Sequence, residues 1–388
     1  MLLKIYDDVL ELYRNNKKIY AKFLSPHRVI STCRINGGLR EDIKVMLNHQ
    51  SCEAKNHSHN SPMGGARRII TDPEAYLDEV CSEEGIDYRY CASLGTAANM
   101  HYASIQKLEF QDLWVLAVAT GGVETNAGRA GDPAGYYEKG QNFINGSVKE
   151  KNLKPGTINI MVFINKPLTR GAIVRAIVTT TEAKTAALEE LAVNSRYSSG
   201  LATGTGTDQI GIAARMSPEP ALTSSGKHTK LGELIGKTVK AAVKETLALQ
   251  NGLTPESQRS VRIHIERFGT DHQKMVKGIC KHLDKETGRL FLDNFDSVNR
   301  DPMVVAAVAA LVHLRDKAEY KILPRACLKE IYIRYSGYAA AAVSLKYEKT
   351  EQYIDKLSDN VSTTSDSAML KLIYKALAMG FEDKWEKN

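Results

Sequence analysis

Lys154-Pro-Gly-Thr157-Ile-Asn-Ile-Met-Val-Phe-Ile164-Asn-Lys-Pro167 is the stretch that decides how this chain folds. Thr157 to Ile164 is almost wholly apolar or β-branched and is bracketed by Pro-Gly and by Pro, which reads as a strand. From Leu168 the apolar period changes. Ile173, Ile177, Leu188 and Leu191 fall near one face of a long helix. A loop rich in Ser, Thr and Gly follows, Tyr197 to Asp208, then a short strand, Ile210 to Ala214. A second long helix is expected from about Thr229 to Leu249, with Leu231, Leu234, Ile235, Val239, Ala242, Val243 and Leu247 at helical spacing. Strands alternating with helices point to an α+β or layered α/β fold, a mixed β-sheet packed by long helices.

Upstream, Lys18 to Leu24, Arg28 to Cys33, Arg89 to Leu94 and Leu113 to Ala119 have the length and composition of strands. The N-terminus, Met-Leu-Leu-Lys-Ile-Tyr-Asp-Asp-Val-Leu-Glu-Leu-Tyr13, mixes acids into an apolar pattern and reads as an amphipathic helix. Downstream, Asn251-Gly-Leu-Thr-Pro255 is a helix stop and turn, and it divides residues 1–253 from a mostly helical unit, residues 254–388. In that second unit Pro302 to Ala318 and Arg325 to Val343 are Ala-rich helices, and Asn360 to Asp366 is a polar loop before a last helix. Tyr320, Tyr332, Tyr335, Tyr338, Tyr347 and Tyr353 sit there at spacings that suit packing between helices better than a ligand-stacking surface.

Composition narrows the function. The 388 residues include 52 basic and 45 acidic side chains, a net charge of +7 that is spread along the chain and offers no basic arm for nucleic acid. Six dispersed cysteines form no Cys-x-x-Cys pair, so neither a zinc knuckle nor a redox dithiol is indicated, and reduced thiols in a cytoplasm fit best. The longest apolar run, Met303 to Leu314, is shorter than the ~20 residues a bilayer requires, so no membrane span is expected.

Three polar loops remain as carriers of chemistry, because glycine lets backbone approach a ligand while a sheet holds the loop ends. Gly121-Gly-Val-Glu-Thr-Asn-Ala-Gly-Arg-Ala-Gly-Asp-Pro133 departs from Gly-x-Gly-x-x-Gly and is not a dinucleotide fingerprint. Its Asn126, Arg129 and Asp132 suit amides and carboxylates, or else form a turn closed by an Arg-Asp pair. Ala202-Thr-Gly-Thr-Gly-Thr-Asp208 alternates hydroxyls with glycines and can present backbone N–H groups to an oxyanion, or be a flexible turn. Ser224-Ser-Gly-Lys-His-Thr-Lys-Leu-Gly-Glu233 fails the P-loop pattern, since Ala221 replaces its first glycine and His228 follows the lysine. His228 can exchange a proton near neutral pH, Thr229 can cap the helix that follows, and Glu233 can pair with Lys237. Lys184 falls on the apolar stripe of the first long helix, seven residues after Ile177, and so needs a carboxylate partner, a wet cavity or an edge to reach water. His57-Ser-His59 has no further donor at metal-ligand spacing and reads as a solvated loop.

Five blocks in order, Thr125-Asn-Ala-Gly-Arg-Ala-Gly-Asp-Pro133, Gly156-Thr-Ile-Asn-Ile160, Thr181-Glu-Ala-Lys-Thr-Ala-Ala-Leu188, Ala202-Thr-Gly-Thr-Gly-Thr-Asp208 and His228-Thr-Lys-Leu-Gly-Glu-Leu-Ile-Gly236, resemble the adenosylcobinamide amidohydrolase family. A fainter likeness runs through Ile30 to Gln50, including Asn36-Gly-Gly38, and through Tyr88 to Ala103, so the resemblance covers roughly residues 20–250. The chain departs from the pattern at Cys33-Arg-Ile-Asn36 and at Cys52 to Arg68. The resemblance implies hydrolysis of the aminopropanol amide of adenosylcobinamide to adenosylcobyric acid and 1-aminopropan-2-ol, a corrinoid salvage step. It implies no cofactor beyond the cobalt the corrinoid substrate brings, and no protein-bound metal. A homo-oligomer is left open.

An unactivated amide demands a nucleophile, donors for the oxyanion and an acid for the departing amine. The loops suggest His228 for proton transfer, with Thr203, Thr205 and Thr207 around the carbonyl oxygen and either a threonine or a water as nucleophile. Asp208 or Glu182 would orient His228 or neutralise Lys184. Asn126, Arg129 and Asp132 would hold the carboxamide fringe, with Thr203, Thr229 and Glu233 as further substrate contacts. Two other classes compete: a corrinoid carrier that does not hydrolyse, and a metal-dependent amidase using His57 and His59.

Overall fold

The computed structural model describes residues 1–15, 17–51, 72–140, 156–358 and 364–385, together with the backbone of the strand Asn142–Asn145. Cys52, His57 and His59 lie outside the described residues. The chain divides into two compact units, Met1–Thr254 and Pro255–Asn388.

The first unit is mostly strand. In chain order these are β1 (Leu2–Tyr6), β2 (Leu10–Arg14), β3 (Lys18–Phe23), β4 (His27–Ser31), β5 (Gly38–Arg40), β6 (Val45–Gln50), β7 (Cys91–Thr96), β8 (Ser104–Phe110) and β9 (Leu113–Gly121). They continue with β10 (Ala127–Gly128), β11 (Tyr136–Lys139), β12 (Asn142–Asn145), β13 (Ile158–Ile164), β14 (Gly204–Thr205) and β15 (Gln209–Arg215). A five-stranded sheet has the order β1-β2-β3-β6-β7 and a six-stranded sheet the order β5-β4-β15-β13-β9-β8. Each is antiparallel but for one parallel pair, β6 with β7 and β13 with β15. The sequence pattern predicts one mixed sheet; among the described residues there are two large sheets, with β10–β14 and β11–β12 as separate two-stranded pairs.

The helix expected at the N-terminus is a β-hairpin. Leu10 and Leu12 are buried while Glu11 and Tyr13 are not, so the period is two, and Tyr6 pairs with Leu10 across a tight turn. Asp7 adopts a φ of +50°, a left-handed conformation that Asp tolerates better than most residues. The Asp7-Asp8 pair was a turn signal, and the apolar spacing around it fits either period.

The two sheets face each other across a core containing Met46, Leu94, Leu116, Val118, Met161 and Phe163. On its other face the six-stranded sheet buries Val115, Ala117, Ile160 and Val162 against the helices Arg170–Glu190 and Lys230–Asn251. Strands β9 and β13 are thus covered on both faces, which is why their sequences are near-continuous apolar runs. The outer face of the five-stranded sheet is covered by the helix Pro73–Ser82 through Leu77, Val80 and Cys81.

The second unit is helical, with Pro302–Glu319, Leu328–Ser344 and Asp366–Trp385 as its longest elements. Tyr332 and Tyr353 are buried in its core, whereas Tyr320, Tyr338 and Tyr347 are exposed. Gly380 lets the last helix lie against the Ala340 backbone, since a Cβ there would overlap the Ala340 carbonyl oxygen. Among the described residues no helix is long and apolar enough to cross a membrane.

Two histidines of the first unit are buried. His49 bonds Leu94 O at 3.1 Å and the Tyr76 hydroxyl at 3.0 Å, and His27 bonds Ser25 O at 2.7 Å while stacking on Phe23. Burial disfavours the imidazolium and lowers both from 6.5 to about 4. The unfolded chain therefore binds more protons between these values, and stability falls as pH drops from 6.5 toward 4. Melting curves across that range should show a loss on the order of 5 °C or more, smaller in His49→Gln. A melting temperature flat from pH 7 to 4.5 would contradict this assignment.

Candidate active site

The C-terminal ends of β9 and β4 and the N-terminal ends of β13 and β15 meet at one end of the six-stranded sheet. Two of the polar loops, the one after β9 and the one before β15, therefore emerge side by side. They are tied together by a short ladder in which Ala127 pairs with Thr205 and Gly128 with Gly204.

Asp208 sits where these pieces join. Its Oδ1 accepts the Ile158 N–H at 2.9 Å and the Thr205 hydroxyl at 2.6 Å, and its Oδ2 accepts the Thr205 N–H at 3.0 Å and the Lys184 ammonium. Both partners of the ion pair are largely withdrawn from water, at 8% and 10% side-chain exposure, so the lysine on the apolar helix stripe is neutralised by a carboxylate brought from another element. The pair closes over bare backbone. A Cβ at Gly204 would overlap Asp208 Oδ2 and come within 2.7 Å of Lys184 Nζ.

The other threonines hold backbone. Thr203 Oγ1 accepts the Ala130 N–H at 2.9 Å, while Thr207 Oγ1 donates to Gly156 O at 3.1 Å and meets the Thr157 hydroxyl. Asn126 Nδ2 donates to Gly156 O at 2.8 Å, and its Oδ1 accepts the Tyr197 hydroxyl at 2.5 Å. The Tyr197 ring lies on Gly128, 3.3 Å from where a Cβ would stand. Asp132 meets Arg129 through the backbone rather than through a guanidinium–carboxylate pair. The Asp132 Oδ2 accepts the Arg129 backbone N–H at 2.7 Å and the Ser195 hydroxyl at 2.6 Å, while Arg129 Nη1 donates to Leu201 O at 3.1 Å. Burial pushes the Asp132 carboxyl up, but the hydrogen bonds from Ser195, Ser198 and Arg129 outweigh it and hold it below its usual range. Ser195, Tyr197 and Thr157 were not singled out in the sequence; their polar side chains border the glycine-rich blocks.

A second polar strip lies beneath, between the sheets. Asn48 Nδ2 donates to Thr120 Oγ1 at 2.8 Å, and Asn159 Nδ2 donates to Asn48 Oδ1 and to Gly95 O, both at 3.0 Å. The one signal for it in the sequence is the asparagine inside the apolar run Ile158-Asn-Ile160.

The third loop does not join the cluster. Thr229 caps the helix, accepting the Gly232 N–H at 3.2 Å and donating to Gly226 O at 2.8 Å. Glu233 pairs with Lys230 at 2.6 Å and Lys237 at 2.7 Å, and these ammonium groups hold its carboxyl below the usual range. Glu182 pairs with Lys227 at 3.1 Å and does not contact Lys184. Lys230 Nζ lies 4.7 Å from the ring centre of Phe110, toward the far end of the β8–β9 pair, whereas the last turns of the same helix reach loop one through Thr246 and Asn251. His228 is exposed just before this helix and forms no hydrogen bond or ion pair with Thr205, Asp208 or Lys184 among the described residues. Among the described residues no group of His, Cys, Asp and Glu could hold a metal ion.

A family model described as adenosylcobinamide amidohydrolase matches residues 4–255. An uncharacterized protein of Methanocaldococcus jannaschii is 40% identical over 245 residues, which cover 62% of this chain and 89% of that protein. The matched region takes in both sheets, the two long helices and the Lys184–Asp208 cluster, and the chain belongs to the adenosylcobinamide amidohydrolase family.

Proposed function

We propose that the first unit hydrolyses the aminopropanol amide of adenosylcobinamide, yielding adenosylcobyric acid and 1-aminopropan-2-ol for corrinoid salvage in the cytoplasm, at Thr205, Asp208 and Lys184. The observation that supports this most is a single carboxylate, Asp208, gripped on one oxygen by a half-buried hydroxyl and on the other by a buried ammonium. Thr205 attacks the amide carbonyl carbon as its hydroxyl proton passes to Asp208 Oδ1. The proton then moves to the leaving nitrogen, the C–N bond breaks and aminopropanol departs. Water hydrolyses the Thr205 ester by the same route in reverse, releasing the acid and restoring the hydroxyl. Lys184 offsets the negative charge of the cluster throughout, and the exposed backbone at Gly206 and Thr207 lies beside the reacting oxygen. Four donors fix Asp208 beside the Thr205 hydroxyl, so the proton acceptor is held in place before substrate arrives. Cobalt arrives with the substrate, and no organic cofactor takes part. Arg129 and the outer faces of Asn126 and Asp132 border the place where the carboxamide fringe would lie.

Release of aminopropanol from adenosylcobinamide by the purified chain is the primary test. A protein that retains the corrinoid and releases no amine would be a carrier instead, and activity lost on chelation would favour the metal-dependent amidase of His57 and His59.

Thr205→Ala and Asp208→Asn should each lower kcat by ~10²-fold or more, with Thr205→Ser partly active. Wild-type turnover in Thr205→Ala would transfer the attack to water. Gly204→Ala should damage turnover by forcing Lys184 from Asp208. His228→Ala, which takes no part in this route, should stay within about threefold of wild type, against the ~10²-fold loss a general acid or base would show.

A further inference from the structure

Asp208 and Gln209 are consecutive, as are Ile158 and Asn159, and in the parallel pair of β13 and β15 Asn159 lies opposite Gln209. Ile158 and Ile210 join the core packed on the long helices, the side from which Lys184 meets Asp208. Gln209 and Asn159 bond in the other direction, to the five-stranded sheet. We infer that Gln209 and Asn159 are positioning residues for Asp208, holding the strand starts that carry this carboxylate and its Ile158 donor against Gly95 of β7.

Strand β7 is the last of its sheet, so its outward backbone groups need partners other than a strand. At Gly95 two side chains serve. The Gly95 N–H donates to Gln209 Oε1 at 2.9 Å, and Gly95 O accepts Asn159 Nδ2 at 3.0 Å. The same Asn159 nitrogen donates to Asn48 Oδ1 at 3.0 Å, and Asn48 Nδ2 donates to Thr120 Oγ1 at 2.8 Å, so β6, β7 and β9 are all tied to this one carboxamide on β13. Asn159 is fully buried, and its Oδ1 has no partner among the described residues. A buried acceptor left alone is unfavourable, so what the group supplies at this position is its two donors. Each anchor lies one residue from the Asp208 cluster: the Ile158 N–H donates to Asp208 Oδ1 at 2.9 Å, and Gln209 follows Asp208 itself. Strand ends open more readily than strand centres. Held by Gly95 on one side and by Lys184 on the other, Asp208 Oδ1 stays 2.6 Å from the Thr205 oxygen, in a contact where an error of about 1 Å can cost ~10²-fold in rate.

The kinetic part of this assignment rests on the amide-hydrolysis reading, and the positional part does not. Gln209 is half-buried, so Gln209→Met in the full chain, similar in length but without the acceptor, should fold with an unchanged melting temperature. Hydrogen–deuterium exchange in this variant should be about tenfold faster or more at the Ile158 and Thr205 amides, which Asp208 holds, and unchanged at Val162 in the middle of β13. Release of aminopropanol from adenosylcobinamide should show kcat lowered about tenfold or more with KM within about twofold, since the contacts to substrate are untouched. Gln209→Glu, which keeps an oxygen for the Gly95 N–H, should restore both readings. Asn159→Leu should show the same two losses with a lower melting temperature, because it leaves Gly95 O and Asn48 Oδ1 without their donor. Exchange at Ile158 and Thr205 indifferent to Gln209→Met would overturn the positional claim, and wild-type kcat in a variant with fast exchange would overturn its bearing on the reaction. Fast exchange in the variant of a chain that, unmutated, releases no amine would remove the amidase reading alone and uphold the anchoring.

Discussion

One carboxylate organises the polar end of the first unit. Asp208 receives donors from the start of β13, from its own loop and from the long helix after β13, segments that are far apart in the chain. Ionised and poorly exposed, it would be costly without them; with them it fixes where the helix stops turning its lysine inward and where the loop enters β15. The same contacts that lock the loops also present the Thr205 hydroxyl, so folding and chemistry draw on one set of hydrogen bonds. Removing either charge of such a pair leaves the other uncompensated, which is why activity and melting temperature must be read together in any variant at this position.

Much of the fold is legible in the sequence, and the physical reason is burial on two faces. Strands β9 and β13 are sandwiched between a sheet and a pair of helices, so apolarity runs through nearly every position, Thr120 and Asn159 excepted, and their ends are sharp. The long helices show a single buried face and their period is equally plain. The N-terminal hairpin is different. It is an edge of its sheet, partly exposed, and in thirteen residues its apolar positions satisfy two periods, leaving Asp7 and Asp8 as the deciding turn signal. That there are two sheets is invisible to local pattern, because strand order is set by pairings such as β3 with β6 and β4 with β15 that span long stretches of chain.

The candidate site divides in the same way. Motif order brings the first two loops forward together, and the lysine on an apolar stripe signals a partner, which the structure supplies as Asp208. Spacing says nothing about which end of a sheet a helix starts from. His228 and Glu233 open a helix whose final turns, not its first, reach the loop after β9, so their place in the sequence blocks gave no distance to Asp208. The Asn48–Asn159–Thr120 strip was hidden for the opposite reason: single polar residues in apolar strands carry no period, and only the face-to-face packing of two sheets joins them.

The alternation Thr203-Gly-Thr-Gly-Thr207 then acquires a physical meaning. Only Gly204–Thr205 is strand, with a turn at Gly206 and Thr207, and the three hydroxyls serve three different anchors: the Ala130 amide, the Asp208 carboxylate and the Gly156 carbonyl. The intervening glycines are not equivalent. Gly204 lies against the Lys184–Asp208 pair where no side chain fits, whereas a Cβ at Gly206 would make ordinary contact with Asn126 at 3.6 Å. Only the first glycine is demanded by the ion pair. A five-residue pattern that looks like a uniform anion-binding turn is thus asymmetric: one half closes the charged pair, and the other, exposed at Gly206 and Thr207, is left open to whatever approaches the Thr205 hydroxyl.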